Sequence, residues 1–134
     1  MPLLKRELLP IRTETDVVLV RQAMRRLCIE QGFSLVEQTK LVTAASEIAR
    51  NTLEYGGGGE TVLECHLDGA RKGVRAVFTD QGPGIPDIAE ALRDGFTTGG
   101  GMGHGLGGAK RLVEQFDIQS TVGKGTTVSI ARWK

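Results

Sequence analysis

The chain has 134 residues, 40% hydrophobic and 25% charged, with a formal net charge of +1; that length suits one domain spanning residues 1–134 and one core. Lysines and arginines are scattered, so the basic footprint of a nucleic-acid or anionic-lipid binder is missing. No apolar run approaches the roughly 20 residues that cross a bilayer, and Met1 to Glu7 lacks the order of a signal peptide, so cytoplasmic residence is expected.

Leu3 to Arg12 reads as a first strand, with Pro10 tolerable at an edge or end. Thr13 or Thr15 then offers a helix cap, and Val17, Val20, Met24, Leu27 and Cys28 follow at helical spacing to a stop at Gly32. Ser34 and Glu37 form a capping-box pattern. They open a second helix, the longest, with Leu41, Ala44, Ala45, Ile48 and Thr52 on one stripe. It runs out at Tyr55 and the glycines behind it.

Two alternating segments come next. Leu63, Cys65 and Leu67 point one way with Glu64 and His66 opposite, and Val74, Ala76 and Phe78 repeat the pattern after a turn at Asp68 and Gly69. This hairpin ends at Asp80. A short helix is expected from Pro86 to Gly95. After a glycine-rich segment, Leu106, Ala109, Leu112, Val113 and Phe116 read as another amphipathic helix. Residues 117–122 and 126–133 close the chain as a hairpin around Gly123 and Gly125. The architecture implied is a two-layer α/β sandwich, a mixed sheet with helices on one face.

Cys28 and Cys65 sit in apolar runs without metal-ligand spacing and read as small core residues. Nineteen glycines are unevenly placed: Gly56 to Gly59 form one run, and residues 99–108 hold seven more. Glycine at such density weakens regular structure but lets backbone approach a ligand.

Three elements carry chemistry. Glu47 and Asn51 lie four apart on the second helix, so both leave one face. An Asn beside a polyphosphate can give its carbonyl oxygen to Mg²⁺, and a neighbouring carboxylate can accept a proton from an attacking hydroxyl. The same spacing also occurs on solvated helix faces. Asp80, Gly82 and Gly84 follow a strand end, where a carboxylate can accept a hydrogen bond from an adenine amino group and glycine clears room for the base. A plain turn uses the same residues. The run from Gly99 to Gly108 enters a helix, whose free amides and dipole suit an anion. Its Gly103 to Gly108 portion fits the dinucleotide-fold glycine pattern, but it follows a loop, and Val128 stands near the position where an acidic residue belongs.

Together, Glu47 and Asn51, the Asp80–Gly84 element, the glycine loop ending near Gly107 and the Gly123–Thr126 segment resemble the conserved boxes of the GHKL ATPase superfamily. Order and spacing agree over essentially the whole chain. Ser46 to Asn51, Asp80 to Asp87, Asp94 to Thr98 and Lys110 to Leu112 are more narrowly similar to the switch kinases of bacterial stressosomes, relatives of the anti-sigma-factor kinases. The resemblance implies Mg-ATP bound through Asn51, Asp80, Gly82, Gly84, Ile85, Thr98, Gly101, Gly103, His104, Gly105, Leu106, Gly107 and Thr126. Asn51 would be the magnesium ligand, Glu47 the catalytic base, and the Thr126 hydroxyl a support for Asp80. It also implies a serine/threonine kinase acting on a STAS-domain scaffold or antagonist protein, with a phosphatase or other output enzyme downstream. A nucleotide-gated binding module and a stand-alone ATPase are the competing readings, and Glu47 favours the enzymes. Arg50, Lys110 and Arg111 are either γ-phosphate contacts or solvated charges. The glycine segment from Phe96 to Gly107 is expected to order over the triphosphate.

Overall fold

Thr13 and Ser34 start the two long helices by the same device. The Thr13 hydroxyl accepts from the Asp16 amide while the Asp16 carboxylate accepts from the Thr13 amide, and Ser34 and Glu37 repeat the exchange. Each box satisfies amides that a helix start leaves open, and the cap side chain alone contributes about 1 kcal/mol. The computed structural model describes residues 3–92 and 105–134. It comprises β1 (Leu3–Ile11), α1 (Glu14–Glu30), α2 (Leu35–Glu54), β2 (Gly59–Asp68), β3 (Arg71–Asp80), α3 (Ile88–Ala91), α4 (Leu106–Arg111), β4 (Gln115–Thr121) and β5 (Gly125–Trp133).

The strands form one sheet in the order β1-β2-β3-β5-β4. Every described pairing is antiparallel, where a mixed sheet was expected. The reason is parity. Two helices separate β1 from β2, one running away and one returning, so β2 starts beside the end of β1 with Gly59 opposite Ile11. β3 and β4 do run the same way, but β5 lies between them and pairs with both.

Alternation along the strands puts Leu63, Cys65, Val74, Ala76, Phe78, Val128 and Ile130 on one face, where α1 and α2 supply Val20, Met24, Leu27, Leu41, Ala45 and Ile48. Burying each large side chain contributes roughly 1.5–3 kcal/mol, and truncating fully buried Leu41 to alanine would cost about 2–5 kcal/mol. Cys28 and Cys65 are free thiols in this core, and burial pushes the Cys28 thiol up to about 12. The opposite face of the sheet carries Glu64, His66 and Arg75.

Two boundaries move. α3 starts at Ile88, because the Asp87 side chain accepts from the Glu90 amide and caps it there. α4 ends at Arg111, and Phe116 belongs to β4. The Glu114 amide already donates to the Ala131 carbonyl, and Arg132 Nη1 donates to the Leu112 carbonyl, so this stretch is drawn into the sheet. Its apolar spacing fits either element, and the pairing with β5 decides.

Candidate nucleotide-binding site

The inward rows of the sheet turn polar at one end. Val74, Ala76 and Phe78 lead to Asp80 on β3, Val128 leads to Thr126 on β5, and Phe116 and Ile118 lead to Ser120 on β4. Register places Asp80 opposite Thr126, and Thr126 opposite Ser120. Above them runs the C-terminal half of α2. The space between is a cleft whose apolar walls are Ile48, Phe78, Ile85, Leu106 and Val128. Its polar side chains are Asn51, Thr52, Tyr55, Asp80 and Thr126.

Asp80 is anchored through one oxygen. Its Oδ1 accepts from the Gly82 amide at 2.9 Å and from the Thr126 amide at 3.2 Å. Oδ2 has no hydrogen-bond partner among the described residues and belongs to a side chain lining the cleft. Three glycines make that placement feasible. A Cβ at Gly56 would strike the Asp80 carboxylate, one at Gly82 would come within 2.7 Å of the Gly56 backbone, and one at Gly84, which holds φ +79°, would strike the Thr121 carbonyl. The Gly56 amide itself is held by the Asn51 carbonyl at 3.1 Å as α2 unwinds.

Ser120 ties the base of the cleft together. Its Oγ accepts from the Ile85 amide at 2.7 Å, donates to the Gly125 carbonyl at 3.2 Å and lies 2.8 Å from the Thr126 hydroxyl. The Thr126 hydroxyl is thus engaged with Ser120, and its backbone amide is what supports Asp80. That differs from the support by hydroxyl that the resemblance implied. Register explains it: the tight β4–β5 turn puts Ser120 directly across from Thr126.

Glu47 and Asn51 share a second, outer cleft with Arg50, Glu54 and Tyr55. Asn51 faces both spaces and joins them. Glu47 is half-buried, and a Cβ at Gly105 would run into its carboxylate, so the bare backbone before α4 abuts the candidate base. Arg50 is exposed, 3.9 Å from Glu54, and Lys110 and Arg111 are exposed on α4.

The structure therefore gathers Asn51, Asp80, Gly84, Ile85, Leu106 and Thr126 into one cleft, with Gly82 holding Asp80 from behind. Glu47 and Gly105 meet at its outer side. Gly107 is buried within α4, away from the lining. Thr98, Gly101, Gly103 and His104 lie outside the described residues, as does the 93–104 part of the glycine segment expected to order. Sequence reasoning missed Tyr55, Gly56 and Ser120. Strand alternation from Phe116 would have pointed to Ser120, and the helical stripe through Ile48 and Thr52 to Tyr55.

Comparison with known proteins agrees with this geometry. The family of histidine kinase-, DNA gyrase B- and HSP90-like ATPases matches residues 36–134, which take in every described element of the site. The chain belongs to that family. It is 45% identical over 123 residues to the serine/threonine-protein kinase RsbT of Bacillus subtilis, covering 92% of each chain. It also superposes with a TM-score of 0.63 on a crystal structure of the RsbU and RsbW domains of a Mycobacterium tuberculosis protein. Identity there is 25%, over 98% of this chain and 32% of that one. By class, the chain is an ATP-dependent serine/threonine protein kinase.

Proposed function

We propose that the chain binds Mg-ATP in the cleft and transfers the γ-phosphate to a serine or threonine of a STAS-domain scaffold or antagonist protein. It would do so in the cytoplasm, as the kinase of a stress-signalling partner switch. One observation carries the nucleotide part: Asp80 is fixed through Oδ1 by two amides while Oδ2 remains for a ligand donor at the head of an apolar slot. Asp80 is half-buried, and an oxygen that takes no hydrogen bond from the described residues suits a ligand that brings a donor into the slot.

The remaining residues fit the same molecule. Ile48, Ile85, Leu106 and Val128 suit the faces of a flat aromatic base, and bare Gly84 leaves room for it. Asn51, between the inner and outer spaces, would offer its carbonyl oxygen to magnesium, a hard cation that keeps phosphate and water ligands. Magnesium, when bound, supplies charge neutralisation along the triphosphate. Glu47, one helical turn earlier, would accept the proton of the attacking hydroxyl. Gly82 and Gly105 act by keeping backbone close to Asp80 and Glu47.

A phosphoserine formed beside Glu47 and the spent nucleotide would add about −1.5 to −2 charges, and the repulsion would release the kinase to a phosphatase or other output enzyme. About 3 kcal/mol of differential affinity exchanges partners more than a hundredfold. The deciding experiment incubates the chain with γ-labelled ATP and a STAS-domain protein. Label on a serine or threonine is expected, with retention of the unphosphorylated substrate and its Ser→Ala form but release of Ser→Asp. ATP binding without transfer would leave a nucleotide-gated binding module.

A further inference from the structure

We propose that Ser120 is a positioning residue that sets base specificity, by holding the Thr126 hydroxyl as an acceptor beside Asp80. The inference deepens the ATP reading above and rests on it.

The hydrogens around Ser120 can be counted. A carbonyl only accepts and an amide N–H only donates. The Ile85 amide, 2.7 Å away, therefore gives its hydrogen to Ser120 Oγ. The Gly125 carbonyl, at 3.2 Å, needs a hydrogen from Ser120, which has a single one to give. The third contact, 2.8 Å to the Thr126 hydroxyl, is then a bond only if Thr126 donates. This is the one arrangement that satisfies all three contacts, with Ser120 accepting twice and donating once.

The consequence falls on Thr126. It lines the cleft, and its hydrogen is spent on Ser120, so it turns lone pairs toward a ligand. Asp80, its cross-strand partner, already offers Oδ2 as an acceptor. The polar edge of the slot is thus built of acceptors. It accommodates a purine bearing an exocyclic amine, whose N–H groups donate. It opposes a 6-oxo purine at the 6-position, where an oxygen replaces the amine and meets acceptor with acceptor; the N1–H that such a base gains lies one ring position away. The outer Ser120 hydroxyl, which lines none of the cleft, becomes a determinant of which nucleotide enters.

The test measures binding of Mg-ATP and Mg-inosine triphosphate, which differ at the purine 6-position (amine against oxygen) and at N1 (acceptor against N–H), to the full chain by calorimetry. Wild type is expected to favour ATP by at least about tenfold. In Ser120→Ala the Thr126 hydrogen is free to turn into the cleft and face the amine. ATP affinity should fall roughly tenfold while inosine triphosphate holds or gains, so the ratio collapses. Ser120→Thr, which keeps the hydroxyl, should restore the ratio. A merely structural role would weaken both nucleotides alike in Ser120→Ala, and an unchanged ratio overturns the inference while leaving ATP binding intact. If Ser120→Ala fails to fold, Thr126→Val removes the acceptor at constant shape and must lower the same ratio. Wild type binding neither nucleotide would bring down the ATP reading itself.

Discussion

Glu64 on β2 and Asp80 on the central strand β3 sit on neighbouring strands and on opposite faces of the sheet, and their surroundings differ in kind. Glu64 is enclosed by its own partners. His66 Nε2 lies 2.9 Å and Arg75 Nη1 3.1 Å from its Oε1, and Arg6 Nε is 3.9 Å from its Oε2. Asp80 has two backbone amides on one oxygen and no cation in reach among the described residues. The first carboxylate is satisfied within the fold. The second is anchored and left incomplete. A finished set of partners marks Glu64 as a structural charge, and a rigid mount with capacity left over makes Asp80 the candidate for a ligand.

Glu47 belongs with Asp80 in this respect: it is half-buried beside a glycine backbone and in no described ion pair. Breaking the comparison at Glu47 gives the largest expected effect. Glu47→Gln should still bind Mg-ATP but transfer phosphate at least about a hundredfold more slowly, within the range of general-base contributions. Single-turnover transfer at saturating ATP measures it. Normal turnover would reduce Glu47 to a structural helix residue, with catalysis resting on positioning.

Asp80→Asn should be next. Gly82 and Thr126 can still donate to the remaining oxygen, so the fold persists, while an amide N–H₂ replaces the free acceptor. A misplaced buried polar group costs about 1–3 kcal/mol, which is roughly 5- to 150-fold in ATP affinity. Equal affinities in calorimetric titration would remove Asp80 from the site. Gly56→Ala approaches the same carboxylate from behind, since the new methyl would strike it. Displacing the mount without changing its charge should weaken ATP by about tenfold, at a cost typical of overpacking. An alanine variant that bound ATP as wild type does would show that the mount has slack.

Much of this could be read from the chain alone, and the reasons are local. The caps at Thr13 and Ser34, the β2–β3 hairpin and the candidacy of Asp80 all follow from short-range chemistry: a hydroxyl three residues before an acid, a period of two, a carboxylate at a strand end before glycines. What could not be read is long-range. The sheet is antiparallel because β5 enters between β3 and β4, a choice that spacing along the chain does not encode. Phe116 fits a helix face or a strand face equally until pairing with β5 selects one. Ser120 acquires its place only when register sets it across from Thr126 and near Ile85, 35 residues away in sequence. Gly56 looks like the frayed end of α2 until Asp80 arrives beside it.

The smallest effect sharpens the comparison from its structural side. Burial alone would raise the Glu64 carboxyl, but the hydrogen bonds from His66 and Arg75 outweigh it and hold the group below its ordinary range. A carboxyl depressed in the folded state stabilises the fold above its unfolded pKa, about 4.3, and that contribution disappears as pH falls through the folded value. Glu64→Gln should therefore lower stability at pH 7 by about 1 kcal/mol, modest because Arg75 and Arg6 are substantially solvent-exposed. The gap between variant and wild type should close as pH drops below about 4.3. Glu37, also held low by its capping hydrogen bond with Ser34, is present in both proteins and cancels in the difference. ATP affinity at pH 7 should be untouched, since Glu64 faces away from the cleft. Urea unfolding of the two proteins across pH 7 to 3 measures the gap. A gap that stayed constant with pH would mean the glutamate contributes packing alone, and a parallel loss of ATP binding would mean the two faces of the sheet are coupled.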